Sequence, residues 1–518
     1  MAQTAQAASA QPEADADIGS ASGRLKNRGR SAWRWAALAL LVACAFLIRI
    51  WGVTKMHFWD ENVYLLNAEY FYGGHAGYLE IDSRPPLLSL LFAAAFHAWH
   101  SDYAAEIVAM LLNALGPLFL FLAGCRIVGR NAAAIAALLL AFVPFFIGIF
   151  TADGGGAAVN SNGHSLRTDC PALTLILLAL WLGTRALAKQ TDLRFAAFGF
   201  SMAMAVLMRF ASLSSVGFLA LLLLAADRRV RASCGCAGGF LLGMAPYLCW
   251  SRAQYGGFLY TFINGWWNFD GEAEPFDYFA GHLPLMISWL GMAGLALWFV
   301  RRSADVAEWR RSGKPEGSAM GAVFALRWEL FLWLWAAGVF LFFSILSHKE
   351  LRYGIPIAAP LLLLAGSGLS WVLLMPRKAV KLAGAGALAA AMMATFWPSL
   401  RHLSDSFVDH SVSDEMVVAK YLRGSLPTTT MIYANTNYPD FAYYSGLTVN
   451  ALPASGDELY ASLKQLPAGG VLIAYKPAGA GGPPAQPPIG YLDSNPRFAR
   501  IGEFPTVLLY RIKGEPAH

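Results

Sequence analysis

Apolar runs about as long as a bilayer is thick recur along most of the chain. A helix needs about 20 apolar residues to cross a hydrocarbon core about 30 Å thick. Eleven runs predict transmembrane helices, over 33–51, 103–125, 131–150, 169–188, 195–211, 213–227, 232–250, 283–300, 327–346, 353–374 and 379–397. The apolar stretch after Pro86 is too short to span and predicts a re-entrant or interfacial helix.

From about Leu403 the pattern becomes that of a small soluble domain. Its spacing predicts helices over 414–426 and 457–466, strands over 430–434 and 471–475, and a hairpin over 498–512. The predicted fold class is an all-α polytopic membrane protein of about eleven transmembrane helices, with a small C-terminal α/β domain outside the membrane.

Composition agrees with this division of the chain. Apolar and aromatic residues make up 57% of the sequence and charged residues 14%, whereas soluble domains carry roughly 25% charge. We therefore predict a disordered cytoplasmic tail over 1–30, a transmembrane domain over 31–400 and an α/β domain over 401–518. The first apolar run is too long for a signal-peptide core and is predicted to be a retained anchor. None of the six cysteines lies after residue 400, which argues against a disulfide framework or a zinc site.

The positive charges are distributed very unevenly between alternate inter-span segments. The segments on the side of the N-terminus hold 21 Lys and Arg residues. The opposite side holds six: Lys55, Arg84, Arg167, Arg252, Lys349 and Arg352. The positive-inside rule predicts a cytoplasmic N-terminus, outer loops over 52–102, 151–168, 251–282 and 347–352, and a C-terminal domain outside an inner (cytoplasmic) membrane. The net charge of +6 thus reflects topology and does not indicate a nucleic-acid partner.

Charged motifs stand in the first outer loop. A helix that starts at Asp60 would place Tyr64 one turn on, and Asp60 with Glu61 could simply cap that helix. Arg84 precedes two prolines at the predicted phosphate level of the bilayer, where snorkelling is the alternative explanation.

Further charged residues lie at the predicted outer ends of three spans. Asp169 opens the fourth span, where an N-cap is the alternative, and Arg209 lies just inside the outer end of the fifth span. The ninth span exits into a loop that holds both Lys349 and Arg352. Cations gathered where topology disfavours them indicate an anionic partner such as a lipid phosphate.

These motifs occur in an order that resembles the GT-C membrane glycosyltransferases. The matching elements are Asp-Glu-x-x-Tyr at Asp60, the basic residue before Pro at Arg84, Asp-x-Pro at Asp169, the basic residue Arg209, and His-Lys-Glu-x-Arg-Tyr at His348. The sequence looks most similar to the bacterial relatives of protein O-mannosyltransferases and of the lipid A aminoarabinose transferase. The resemblance covers 33–397 and an outer C-terminal domain.

The resemblance implies roles for individual residues. Asp60 would be the catalytic carboxylate, Glu61 its supporting neighbour and Asp169 a second acid near the acceptor. The cations that would bind the donor phosphate are Arg84, Arg209, Lys349 and Arg352. The residues that would contact the substrate are Tyr64, Tyr78, His348 and Tyr353.

The function implied is inverting transfer of a hexosyl or pentosyl group from a polyprenyl-phosphate carrier to a lipid, glycan or protein acceptor on the outer face. A leaving phosphate is a weak base, so cations suffice to stabilise it and one base, Asp60, is required. The alternative is a multi-span transporter of a lipid-linked or anionic substrate, whose acids should lie near mid-membrane and not at helix ends. A non-catalytic scaffold would not explain the clustered outer cations.

No cofactor or metal site is predicted. A divalent cation is compatible with Asp60, Glu61 and Asp153, since hard cations bind carboxylate oxygens. The sequence lacks an outer Asp-x-Asp motif, however, and we leave metal out of the predicted site.

Overall fold

The computed structural model describes residues 33, 35–50, 59–74, 77–147, 166–226, 230–267, 273–312, 319–374, 377–408, 413–453, 456–476 and 487–514. The predicted tail over 1–30, Lys55 and Asp153 lie outside these residues.

The membrane part of the described chain consists of helices. They are α1 (Trp35–Ile50), α2 (Trp59–Gly73), α3 (Leu87–Ala98), α4 (Asp102–Ile127), α5 (Arg130–Phe142), α6 (Pro144–Ile147), α7 (Asp169–Lys189), α8 (Asp192–Met208), α9 (Ser212–Ala226), α10 (Val230–Tyr255), α11 (Tyr260–Trp267), α12 (Tyr278–Gly281), α13 (Leu283–Ser312), α14 (Ala319–Ile345), α15 (Ile355–Val372) and α16 (Lys378–Val408). A 3₁₀ turn over Leu351–Gly354 leads into α15.

Every predicted span coincides with a helix, and the predicted fold class is confirmed. Seven helices, namely α4, α7, α10, α13, α14, α15 with its preceding turn, and α16, are long and apolar enough to cross a membrane. The other four predicted spans fall on the shorter helices α1, α5, α8 and α9. The count of eleven spans therefore stays a prediction. The short apolar run after Pro86 forms α3, as its length predicts.

Small residues let the membrane helices approach one another closely. A Cβ atom at Gly199 of α8 would meet the backbone of Cys236 in α10, and one at Gly239 would meet the backbone of Ala196. Such contacts are the usual basis of helix association in lipid, where dispersion replaces the hydrophobic effect. They hold α8 firmly against α10, and α8 ends at the outer side of the bundle next to Arg209.

The ends of several helices converge beneath α2 and α3. Helix α2 is buried from Asp60 to Ala68, and its Tyr64 and Leu65 pack with Leu88 and Phe92 of α3. Helix α7 starts at this end, α8 finishes there, and the 3₁₀ turn before α15 lies beside them. Charged residues from five separate segments are thereby brought to one place.

The C-terminal part is an α/β domain with a five-stranded mixed sheet. Its elements are α17 (Asp414–Ser425), β1 (Ile432–Ala434), α18 (Tyr438–Ser445), β2 (Val449–Ala451), α19 (Gly456–Gln465), β3 (Val471–Tyr475), α20 (Ile489–Ser494), β4 (Phe498–Glu503) and β5 (Val507–Ile512). The strand order is β2-β1-β3-β5-β4, with β1 parallel to β2 and β3, and β5 antiparallel to β3 and β4. The predicted helices, both strands and the hairpin are present. The sequence analysis missed α18, α20 and β2, which are too short to show a clear period.

Candidate active site

A pocket lies where α2, the turn at Arg84, the start of α7, the end of α8 and the turn before α15 meet. Its lining includes Asp60, Tyr64, Arg84, Arg167, Asp169, Arg209, Arg352 and Tyr353. Seven of these eight were singled out from the sequence, and Arg167 was not. Polar side chains from distant parts of the chain thus converge on one cleft at the ends of helices.

Asp60 stands among three arginines. Its Oδ1 lies 3.0 Å from Nη2 of Arg84, and its Oδ2 accepts a hydrogen bond from Nη1 of Arg352 at 2.7 Å. Nε of Arg167 is 3.9 Å from the same Oδ2. The Asp60 side chain is only 12% exposed, so little water screens these interactions. The position is more than a helix cap, because both oxygens face cations.

Electrostatics fix the protonation state of Asp60. Burial raises the pKa of its carboxyl, but the guanidinium groups of Arg352, Arg84 and Arg167 outweigh burial and hold that pKa well below its usual range. Asp60 is therefore ionised at neutral pH. Its basicity depends on how strongly the neighbouring guanidinium groups interact with it.

Arg167 lines the pocket, and its guanidinium is incompletely hydrogen-bonded. Its side chain is 10% exposed, and its Nε and Nη1 atoms are buried without a hydrogen-bond partner among the described residues. The adjoining segment is held by Glu61, whose Oε1 accepts a hydrogen bond from the backbone N–H of Leu166 at 2.8 Å. A buried guanidinium with unpaired donors is costly unless an anion is bound, so the geometry favours an anionic ligand.

Two carboxylates that do not line the pocket bind Arg84 and Arg352. Glu80 accepts from Nε of Arg84 at 2.6 Å, and Glu350 accepts from Nη2 of Arg352 at 2.7 Å. Burial raises the pKa of Glu350, but Arg352 more than offsets it and the resulting pKa is lowered. Both guanidinium groups are thereby fixed in position, with their remaining donors directed at Asp60.

Asp169 pairs with Arg209 on the other wall of the pocket. Thr168 and not Asp169 occupies the N-cap position of α7, so the Asp169 carboxylate serves an ion pair instead of a cap. The guanidinium of Arg209 also lies 5.0 Å from the ring centroid of Tyr353, a cation–π distance. The Tyr64 hydroxyl is 3.4 Å from Oγ1 of Thr168 and completes this wall.

Four of the residues expected from the sequence do not line the pocket. Glu61 binds the backbone at Leu166, and Tyr78 donates to Glu80 at 2.9 Å. Lys349 is buried and donates from Nζ to the carbonyl oxygen of Glu274 at 2.8 Å. His348 has Nε2 3.5 Å from Oε1 of Glu350. The structure places Glu61 and Tyr78 behind the site and Lys349 in the contact between two outer loops.

The charge of the lining favours an anion. Four guanidinium groups and two carboxylates face the pocket, a formal excess of two positive charges. Glu80 and Glu350 balance this excess from behind but do not line the cleft. A phosphate monoester carries about −1.5 to −2 charge at pH 7, which matches the excess.

Within the described residues, no group of three or more His, Cys, Asp and Glu side chains is arranged to hold a metal ion. Asp60 and Glu61, which could have contributed to such a group, are engaged by arginines and by the Leu166 backbone instead.

The chain has the GT-C fold, as the motifs predict. The crystal structure of ArnT from Cupriavidus metallidurans in the apo state is similar, with a TM-score of 0.64 and 16% identity over 93% of this chain and 98% of that chain. The same protein bound to undecaprenyl phosphate gives a TM-score of 0.63 and 15% identity over 92% and 98%.

A second solved protein shares the architecture. The cryo-EM structure of arabinofuranosyltransferase AftD from Mycobacteria has a TM-score of 0.55 and 14% identity, and the match covers 93% of this chain and 40% of that chain. No family model and no curated protein matches the sequence. At such low identity the similarity establishes the fold, and activity has to be argued from the site.

Arg167 is the charged residue of the pocket lining for which the sequence predicts no role. One signal is available, since it is one of only six cations in the predicted outer loops between the spans and lies two residues before Asp169. The supporting roles of Glu80 and Glu350 had no such signal, because short-range ion pairs follow from side-chain placement and not from residue type.

Proposed function

We propose that the protein is a glycosyltransferase that moves a sugar from a polyprenyl-phosphate carrier to an acceptor on the outer face of the membrane. The observation that carries the proposal is the position of Asp60, a buried carboxylate held by Arg84 and Arg352 in a pocket at the outer helix ends. A pathway for transport would instead place its acids near mid-membrane. The enzyme would lie in the inner membrane with its N-terminus in the cytoplasm.

The donor phosphate would bind to the arginines of the pocket. Arg167 offers unpaired donors, and Arg84 and Arg352 are fixed in orientation by Glu80 and Glu350. As the bond from the anomeric carbon to the phosphate oxygen breaks, negative charge grows on that oxygen, and the preorganised guanidinium groups stabilise it. The excess of positive charge in the lining suits the phosphate product better than the donor diester, which favours the transition state.

Asp60 would act as the general base. With the pocket empty, three arginines weaken its basicity. A bound phosphate takes up part of that positive charge, so the carboxylate becomes a stronger base when the donor is in place. It would then accept the proton of the acceptor hydroxyl as that oxygen attacks the anomeric carbon, and a single displacement inverts the configuration.

Asp169 and Arg209 would form the second wall, on the side of the acceptor. Their ion pair keeps both side chains in place, and Tyr353 lies against the guanidinium of Arg209. In this arrangement Asp169 supports the acceptor and Arg209 contributes to the field at the phosphate. Lys349 would support the outer loops, since its ammonium group is bound by the Glu274 carbonyl.

Mass spectrometry of lipid-linked sugars and of envelope glycans from a deletion strain tests the proposal. We expect a polyprenyl-phosphate sugar to accumulate and one glycan, glycolipid or glycoprotein modification to disappear. Purified protein in lipid nanodiscs, given the accumulated donor and its acceptor, should then transfer the sugar to the acceptor and release the free polyprenyl phosphate. Unchanged lipid-linked sugars and unchanged glycans in the deletion strain would contradict the proposal.

A further inference from the structure

The outer domain packs directly on the helix that carries Asp60. Helix α18 lies along α2, and Leu66 of α2 belongs to the same apolar cluster as Phe441 and Ala442 of α18. On the far side of α2, Tyr64 and Leu65 pack against α3. Helix α2 is therefore held between the membrane part and the outer domain, and neither contact alone fixes its position.

A buried polar contact joins the two helices next to the pocket. The Asn62 amide donates from Nδ2 to Oδ1 of Asp440 at 2.6 Å. Asn62 is fully buried and Asp440 is 6% exposed. Removal of either side chain would take away a buried hydrogen bond between the two helices, which is more costly than the loss of one at the surface. Asn62 follows Asp60 by two residues, so this contact anchors the turn of α2 that faces the arginines.

Neighbouring contacts reach the other side of the site. The ring of Tyr438, in the first turn of α18, lies 5.6 Å from that of Trp59 and 4.8 Å from that of Tyr78. Trp59 in turn lies beneath the guanidinium of Arg84, at 5.3 Å, and Tyr78 donates to Glu80. Helix α18 thus touches supports of both Asp60 and Arg84.

We propose that Asp440 is a positioning residue, which fixes α2 through Asn62 so that Asp60 stands at the correct distance from the arginines, and that the outer domain is thereby an integral part of the active site. This inference rests on the proposed transferase function for its catalytic consequence. Its structural consequence, a fixed first turn of α2, is independent of that function.

The environment of Asp440 identifies the variant that should preserve the contact. Burial raises the pKa of Asp440 to about 7; the hydrogen bond from Asn62 opposes this rise, and Glu415 of α17 and Glu61 of α2 add to it. The contact needs only an oxygen that accepts a hydrogen bond, and this oxygen is present in the protonated acid and in an amide. Asparagine at this position should therefore maintain the contact, whereas alanine cannot.

The test compares Asp440→Ala with Asp440→Asn in full-length protein reconstituted in nanodiscs, with Glu458→Ala, an exposed acid of the same domain, as the control. Three quantities are measured and normalised to folded protein: kcat with the donor that accumulates in the deletion strain, the Kd for undecaprenyl phosphate, and hydrogen–deuterium exchange of the segment 59–73. We expect Asp440→Ala to lower kcat about 10- to 100-fold and to speed exchange in this segment, with Kd unchanged. Asp440→Asn and Glu458→Ala should both resemble the parent.

The inference would be overturned by a parental kcat in Asp440→Ala or by an equal loss of kcat in Asp440→Asn. Unchanged hydrogen–deuterium exchange of the segment 59–73 in Asp440→Ala would overturn it as well. A parent protein that transfers no sugar would refute the proposed function alone, and the exchange data would still decide whether Asp440 fixes α2. A loss of undecaprenyl phosphate binding in step with kcat would mean that the whole pocket has collapsed, which would also contradict a positioning role.

Discussion

Replacing Arg167 with glutamine should weaken binding of the donor phosphate. Arg167 lines the pocket, and its Nε and Nη1 atoms have no hydrogen-bond partner among the described residues, so we expect a bound phosphate to gain a charge-assisted hydrogen bond from this side chain. Such a bond contributes about 1.5–3 kcal/mol, which corresponds to a weakening of about 10- to 150-fold. Arg84 and Arg352 remain in the variant, so we expect an effect near the lower end, about 10-fold.

The assay is titration of the protein in nanodiscs with undecaprenyl phosphate, followed by native mass spectrometry. Arg252→Gln is the matched control, because Arg252 is an exposed cation of the same predicted outer face that does not line the pocket. Undecaprenol, which lacks the phosphate, serves as the second control and should bind equally to all variants. The reasoning is refuted if Arg167→Gln binds undecaprenyl phosphate as tightly as the parent, or if Arg252→Gln loses as much affinity.

Three further predictions concern topology, pH and the loop before α15. Reporter fusions after residue 400 should be active only when the reporter works outside the cytoplasm, and a cytoplasmic signal would contradict the charge-based topology. Since the pKa of Asp440 is raised from 3.8 to about 7, its stabilising contribution is complete below pH 3.8 and is lost as pH rises through 7. The melting temperature of the parent should accordingly fall relative to that of Asp440→Asn over this range, and parallel curves would contradict the assignment. Arg352→Gln should lower donor affinity and turnover about 10-fold or more, whereas Lys349→Gln should leave donor affinity near the parental value; equal losses of affinity would place Lys349 at the phosphate.

The membrane helices could be predicted from the sequence because lipid permits few alternatives. A backbone in hydrocarbon must satisfy its own hydrogen bonds, so an apolar run of sufficient length becomes a helix almost regardless of its detail. The short elements α18 and β2 could not be predicted in this way, because their local sequence does not specify them. They are stabilised by tertiary contacts, such as the hydrogen bond from the N–H of Val449 to the carbonyl of Gly77, and not by a local pattern.

The candidate site was predictable only in part. Motif order indicated Asp60 and Arg352 as residues of one site, yet they are 292 positions apart, and no single sequence shows that they share a hydrogen bond. The sequence places Arg167 among the predicted outer-loop cations, but its position in the pocket lining and its two nitrogens without a hydrogen-bond partner among the described residues follow only from the structure. Asp440 carried no signal at all, since its partner Asn62 lies in another domain. The charged residue types and their order along the chain are visible in the sequence, but pairings across the fold are not.

Single-turnover transfer by Asp60→Asn tests the central claim most directly. Purified parent and variant, in nanodiscs, receive the polyprenyl-phosphate sugar that accumulates in the deletion strain together with its acceptor, and release of polyprenyl phosphate is followed by mass spectrometry. Asparagine preserves the size of the side chain and removes its basicity. We therefore predict a folded variant that binds undecaprenyl phosphate at least as tightly as the parent and transfers sugar about 10²- to 10⁴-fold more slowly. Transfer at the parental rate by Asp60→Asn would contradict the account.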